Sequence, residues 1–203
     1  MTSTDSSPAD PPGNRPQGRV RWRRFAVLFI PAMAAAAALV VLTTEGVLAA
    51  SISVSGTAFE VTSSQLKGTG FEQFGGVVTD SKGGQHPVAI SAIKSASLAN
   101  LCQSVSVGPV TLRITAGGGS QPATASNLIV DADGLSGDAT FNNITIGQDA
   151  GTLTEVPGVT GPAGSFGQQA DGVTIDNLRQ HTWLTTAGTF TLPGFNLSFG
   201  SAC

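Results

Sequence analysis

Apolar residues return at every second position in stretch after stretch of this chain. In VTLRIT (110–115), Val110, Leu112 and Ile114 share one side. GVTIDNL does the same with Val173 and Ile175, TFTL with Phe190 and Leu192, and FNLSF with Phe195, Leu197 and Phe199. A two-residue period carried by Val, Ile, Thr and Phe belongs to half-buried strands. Gly and Pro separate these stretches at AGGGSQP, VPGVTGPAGSFG and LPGF, where the chain is expected to turn. In VAISAIKSASLANLCQ, the residues Ile90, Ile93, Ser97 and Leu101 fall near helical spacing. Ser and β-branched residues dilute that signal, and strands are expected here too. With 26 Gly and only 11% charged residues, the composition suits an all-β globular chain and not a disordered one.

The segment DGLSGDATFNNITIGQDAGTL (133–153) reads as strand, turn and strand, with Phe141, Ile144 and Ile146 turned inward. It has relatives within the chain. FEVTSSQLKGTGF (59–71) and LIVDADGLSGDATF (128–141) share a frame of apolar, Val, Leu, Gly and Phe positions, and 173–190 carries a looser version. Strand–turn–strand units that each bury one face predict either a solenoid-like stack or a curved, wrapped antiparallel sheet. A sheet of that kind can close on a dry core or stay open as an apolar groove, and the same residues fit both.

The N-terminal quarter has another character. Residues 1–18 are polar and rich in Pro and Ser and read as a disordered cytoplasmic tail. Residues 19–49 carry Arg19, Arg21, Arg23 and Arg24, then the uncharged run Phe25–Leu42, then VLA before Ala50. Those are the parts of a secretory signal. The run 25–42 is also near the length of a membrane-spanning helix, so an uncleaved anchor helix is the competing reading. Both put residues 50–203 outside the cytoplasmic membrane as one exported β domain. That domain holds Lys67, Lys82, Lys94, Arg113 and Arg179 against ten acidic residues. A mildly acidic body without a basic stripe excludes a nucleic-acid partner. Cys102 and Cys203 are the only cysteines. An even count in an exported chain predicts a disulfide between them. Closing a loop of roughly 100 residues is worth up to ~4.7 kcal/mol in the chain-entropy view.

The runs RVRWRRFAVLFIPAMAAAAAL, LKGTGFEQFGGVV, HPVAISAIKSASLANLCQSV, ASNLIVDADGLSGDATFNNITIGQDAGTL and GSFGQQADGVTIDNLRQHTWLTTAGTFTLPGFNLSF carry a resemblance. Together they look like an uncharacterised family of exported actinobacterial proteins, and the likeness runs from Arg19 to Cys203. Some members of that family are labelled cholesterol esterase, a label that brings no active site with it.

An esterase would need a nucleophile on a sharp strand-to-helix turn. The nearest match is AGSFG, with Ser165 as nucleophile, Asp176 (or Asp171) and His181 following in the order of a Ser–Asp–His triad. No helix pattern follows Ser165, and the βαβ alternation of such hydrolases is missing. Asp131, Asp133 and Asp138 offer hard oxygen ligands for calcium, but the pattern lacks the further ligands of a calcium loop and reads more simply as a solvated turn. His86 and His181 lack zinc spacing, no phosphate loop is present, and no cofactor is expected. Trp183, the only tryptophan after the N-terminal segment, and Phe141 are candidates for stacking on an apolar ligand or for core. The expectation is a non-enzymatic cell-envelope protein, exported and then extracellular or on the outer face of the membrane. Its role is structural or binding, with a lipid-like ligand in an apolar groove. The alternatives are an ester hydrolase acting through Ser165 and a membrane-tethered adaptor for an integral membrane protein.

Overall fold

In the computed structural model, residues 54–203 are described, and all the named elements are strands apart from one 3-10 turn. The tail 1–18, the segment 19–49 and its apolar run 25–42 lie outside the described residues. The strands are β1 (Phe59–Thr79), β2 (Gln85–Ala99), β3 (Leu101–Val107), β4 (Val110–Ala116), β5 (Ala123–Asn142), β6 (Thr145–Asp149), β7 (Phe166–Thr186), β8 (Thr189–Thr191) and β9 (Asn196–Phe199). All pair antiparallel in one nine-stranded sheet.

Three strands are very long: β1 and β7 have 21 residues and β5 has 20, against a usual length of about 5–6. A strand of that length twists through a large angle, so its two halves find different neighbours. Along one edge of β1 the chain lays β2 and then β3. Asn100 joins them in the left-handed region (φ 50°), a conformation Asn tolerates better than most residues. The other edge of β1 is taken by β7. Likewise β5 meets β2 through Ala123–Ala132 and β7 through Ile129–Asn142. The pairing β1–β2–β5–β7 thus returns to β1. Beyond it, β6 extends from β7, and β3–β4–β9 extends from β1 as a flap. The sheet is wrapped, but these outliers leave free edges and it is not a barrel.

The repeat frames are real segments of this sheet, but not as strand–turn–strand units. Residues 59–71 lie within β1, residues 128–141 within β5, and most of 173–190 within β7. The expected turns are irregularities inside continuous strands. At Gly137 (φ 151°) a Cβ would come within 2.6 Å of Ile175 Cγ2 and 2.9 Å of the Asp176 carbonyl oxygen. That is closer than any side chain can sit, so this bulge needs glycine.

The wrapped strands bury Val61, Leu66, Phe71, Ile93, Leu128 and Ile175 with their neighbours as the main core. Its interior leaves a cavity of about 40 Å³. That is far below the 150 Å³ that holds benzene in an engineered core. Little space is therefore left inside the wrapped sheet as it stands. The inward residues need correction. Phe141 and Ile144 pack against the core from its edge, whereas Ile146 is 64% exposed. The period-2 residues Phe195, Leu197 and Phe199 are also exposed, at 53%, 49% and 71%, although their alternation reads as a half-buried strand.

Candidate functional site

The two bulged strands build a cluster that local sequence spacing conceals. In the β5–β7 ladder Asp131 faces Leu184, Ala132 faces Thr182, and Gly134 faces His181. Trp183 is thus an extra residue on β7, and Asp133 an extra residue on β5. A bulge re-aims the side chain of its extra residue, and here the two re-aimed side chains meet. The Trp183 Nε1–H donates to Asp133 Oδ2 (2.8 Å), and Asp133 Oδ1 is in hydrogen-bond contact with His181 Nδ1.

The tip of the β1–β2 hairpin supplies the other half. Asp80 Oδ1 accepts from the backbone N–H groups of Lys82 (2.7 Å) and Gly84 (2.9 Å), which shapes the turn. Its other oxygen holds His86 Nε2 at 3.1 Å. The His86 ring lies flat on the Trp183 indole with centroids 3.6 Å apart, and His181 meets the same indole edge-on at 6.3 Å. Both histidines of the chain therefore flank one tryptophan, each fixed by its own carboxylate.

The electrostatics follow from those bonds. Asp80 is lowered to about 2, first by the His86 hydrogen bond and then by the two backbone donors. For Asp133 burial is the largest influence and pushes its pKa up. The His181 and Trp183 hydrogen bonds and the nearby imidazole together outweigh it, so the carboxyl sits below its ordinary range. An ionised Asp133 can only accept, which places the proton of a neutral His181 on Nδ1 and leaves Nε2 as the acceptor.

Beside Trp183 the end of the sheet opens into a depression of about 370 Å³, lined by Val54, Phe59, Trp183, Leu184 and Phe190 among others. Gln103, Thr185 and Phe190 line both this mouth and the small apolar cavity behind it. The mouth is thus the place where the inner face of the sheet reaches solvent.

The residues of the proposed triad are not brought together. Ser165 lies in the loop before β7 and donates to the Pro162 carbonyl (2.7 Å). His181 lies near the far end of that strand, so at about 3.3 Å of rise per residue the two are tens of ångströms apart. Asp176 accepts from Gln65 Nε2 (2.6 Å) instead, and Asp171 accepts from Asn143 Nδ2 (2.6 Å). The three carboxylates considered for calcium are also drawn into separate roles. Asp131 is buried and raised in pKa by that burial, Asp133 serves the histidine and tryptophan, and Asp138 accepts from Asn177 Nδ2 (3.2 Å). Among the described residues no three His, Cys, Asp or Glu side chains gather as a metal site. Phe141 packs on Phe71, with centroids 5.3 Å apart.

The cysteines are joined, with Cα atoms 5.9 Å apart. This bond ties the chain end to β3, where the Cys203 N–H also donates to Ser104 Oγ (3.0 Å). Such a bond persists in an oxidising compartment.

Fold and site together define a disulfide-stapled, wrapped antiparallel β protein with an aromatic mouth at one end. By sequence the chain belongs to DUF6230, a family of unknown function, whose model matches residues 55–203. No curated protein and no solved structure matches it.

Proposed function

We propose that this is an exported envelope protein without catalytic activity that binds a small amphiphilic, lipid-like molecule at the mouth beside Trp183. The observation that carries the reading is the joining of three surfaces at one place. Phe59, Leu184 and Phe190 offer apolar contact, Trp183, held by His86 and Asp133, offers an aromatic surface, and Ser55, Gln103 and Thr185 offer polar groups. A volume of about 370 Å³ is at the lower end for ligand sites, which run from about 300 to 1,000 Å³. It suits a short apolar group with a polar head, while the 40 Å³ cavity behind it does not take an acyl chain without movement of β8. Export is supported by the disulfide and by the signal-like segment 19–49.

Trp183 makes the test direct, because the only other tryptophan is Trp22 in the N-terminal segment. Titrating the protein with decanoate and with a monoacylglycerol should give a saturable change in Trp183 emission. Phe190→Asp, which puts a charge in the mouth, should weaken it at least tenfold. An emission that stays flat with both probes refutes the reading. Ester hydrolysis lost on Ser165→Ala would put the hydrolase in its place.

A further inference from the structure

The flap β3–β4–β9 has one polar side and one apolar side. Antiparallel partners directly opposite each other project to the same side. Val105 faces Leu112, which faces Phe199. Gln103 faces Ile114, which faces Leu197. Val107 faces Val110. One side of the flap is therefore almost wholly apolar. The other carries Ser104, Ser106, Arg113, Thr115 and Ser198 with the disulfide. Arg113 is the only charged side chain in the three strands, and its Nε–H points at Cys102 Sγ (3.3 Å) on the polar side.

At its inner end Leu101 and Ala116 are buried in the main core, but the outer part of this side has no cover among the described residues. Val107, Val110, Leu197 and Phe199 are 66%, 49%, 49% and 71% exposed. Taking an aromatic side chain at roughly 150–250 Å² and an aliphatic one somewhat less, such exposures leave on the order of 400–500 Å² open. That is the size of the largest patch on a typical soluble monomer, which is often functional. The chain nonetheless fixes this strand order with a covalent bond, since Cys203 holds the segment after β9 to β3.

We propose that the apolar side of this flap packs face to face against the same side of a second copy of the chain. Charge and area favour that occupant. A two-fold contact sets a patch against itself, so a charge near its axis would meet its own sign, and this patch has none. Two such patches bury roughly 800–1,000 Å², which reaches the lower bound for a specific interface once the flanking half-buried residues add to it. Stacked sheets about 10 Å apart are the geometry such a flat apolar face accepts. A bilayer fits less well, because the domain carries more acidic than basic residues and the flap offers no cation on its apolar side to meet anionic headgroups.

The test uses the full chain as expressed, with a photo-crosslinking phenylalanine analogue at position 199. Irradiation should give a species of twice the chain mass, crosslinked to the segment Val105–Leu112 of the other copy. Analytical ultracentrifugation should show a concentration-dependent dimer. Phe199→Asp should raise its dissociation constant at least tenfold, while Ser198→Asp, on the polar side, should leave it unchanged. Intact mass showing the disulfide in both variants keeps misfolding from imitating the result. A monomer at every soluble concentration, crosslinks only to lipid, or equal loss in both variants overturns the proposal.

Discussion

The wrapped body and the flap are written in the same alphabet and come to opposite ends. GVTIDNL in β7 and NLSF in β9 both alternate apolar with polar residues. Yet Val173 and Ile175 are 2% and 5% exposed, whereas Leu197 and Phe199 are 49% and 71% exposed. The difference lies in what stands opposite. Across from β7 the pairing has returned to its start, so the inner faces of β1, β2, β5 and β7 cover one another. Among the described residues nothing covers the outer end of the flap, beyond Leu101 and Ala116. Period 2 says that a strand has an apolar face, but burial depends on a second layer that only the tertiary pairing supplies.

That contrast can be broken by mutation. Phe71→Ala, in the covered body, should cost about 3–5 kcal/mol, because it leaves a cavity among well-packed neighbours. In the flap, Leu197→Ala should stay within about 0.5 kcal/mol for the monomer. Chemical unfolding of both variants at low protein concentration checks the pair. Equal losses would mean that the flap is packed after all.

The disulfide sits where the two regions meet. Cys203→Ser should lower stability by about 2–4 kcal/mol. Its first effect should fall on the flap, with faster amide exchange in β4 and β9 than in β1 and β7, because the staple ties the segment after β9 to β3 while β1 and β7 are also held by their long ladders. Exchange mapped by mass spectrometry reads this. Uniform acceleration across the sheet would contradict it.

Glu72 sharpens the body side with a smaller effect. It is fully buried. One carboxyl oxygen accepts the Val156 N–H (2.7 Å) and holds the loop after β6 against β1, while the other has no partner among the described residues. Burial is the main cause that raises its pKa above the ordinary 4.5, against the two backbone hydrogen bonds that lower it. The folded state thus prefers neutral Glu72. Its contribution to stability is full below pH 4.5 and is lost as pH rises through the elevated folded value. Asp131, raised by burial, acts in the same direction. Glu72→Gln keeps an acceptor for Val156 and carries no charge, so it should be about 1–3 kcal/mol more stable than wild type at pH 7. Near pH 4 the two should converge. Melting curves across that range test the sign, and a variant less stable than wild type at pH 7 would reverse it.

Much of the fold was legible in the sequence, and the site much less so. Alternation located β4, β7 and β9, and the stretch with mixed spacing became β2 and β3 with a break at Asn100. The disulfide pair followed from count and compartment. The Gly positions in LKGTGF and LSGDATF misled, because glycine signals a turn locally. Here strand pairing continues past Gly70 and Gly137, and long-range ladders outweigh the local preference. The cluster escaped for the same reason. His86 and His181 are far apart in sequence, and Trp183 meets Asp133 only because two bulges fall opposite each other. One local sign was available: Asp80 before SKGG and His86 just beyond is the pattern of an Asp-stabilised hairpin turn.

The claim that the mouth, and not the flap, holds a ligand is tested most directly by native mass spectrometry of the protein purified from its own envelope fraction. The account predicts a bound apolar molecule that is lost from Phe190→Asp and retained by Phe199→Asp. An adduct that survives Phe190→Asp but disappears with Phe199→Asp would contradict it, as would a protein that carries nothing in either form.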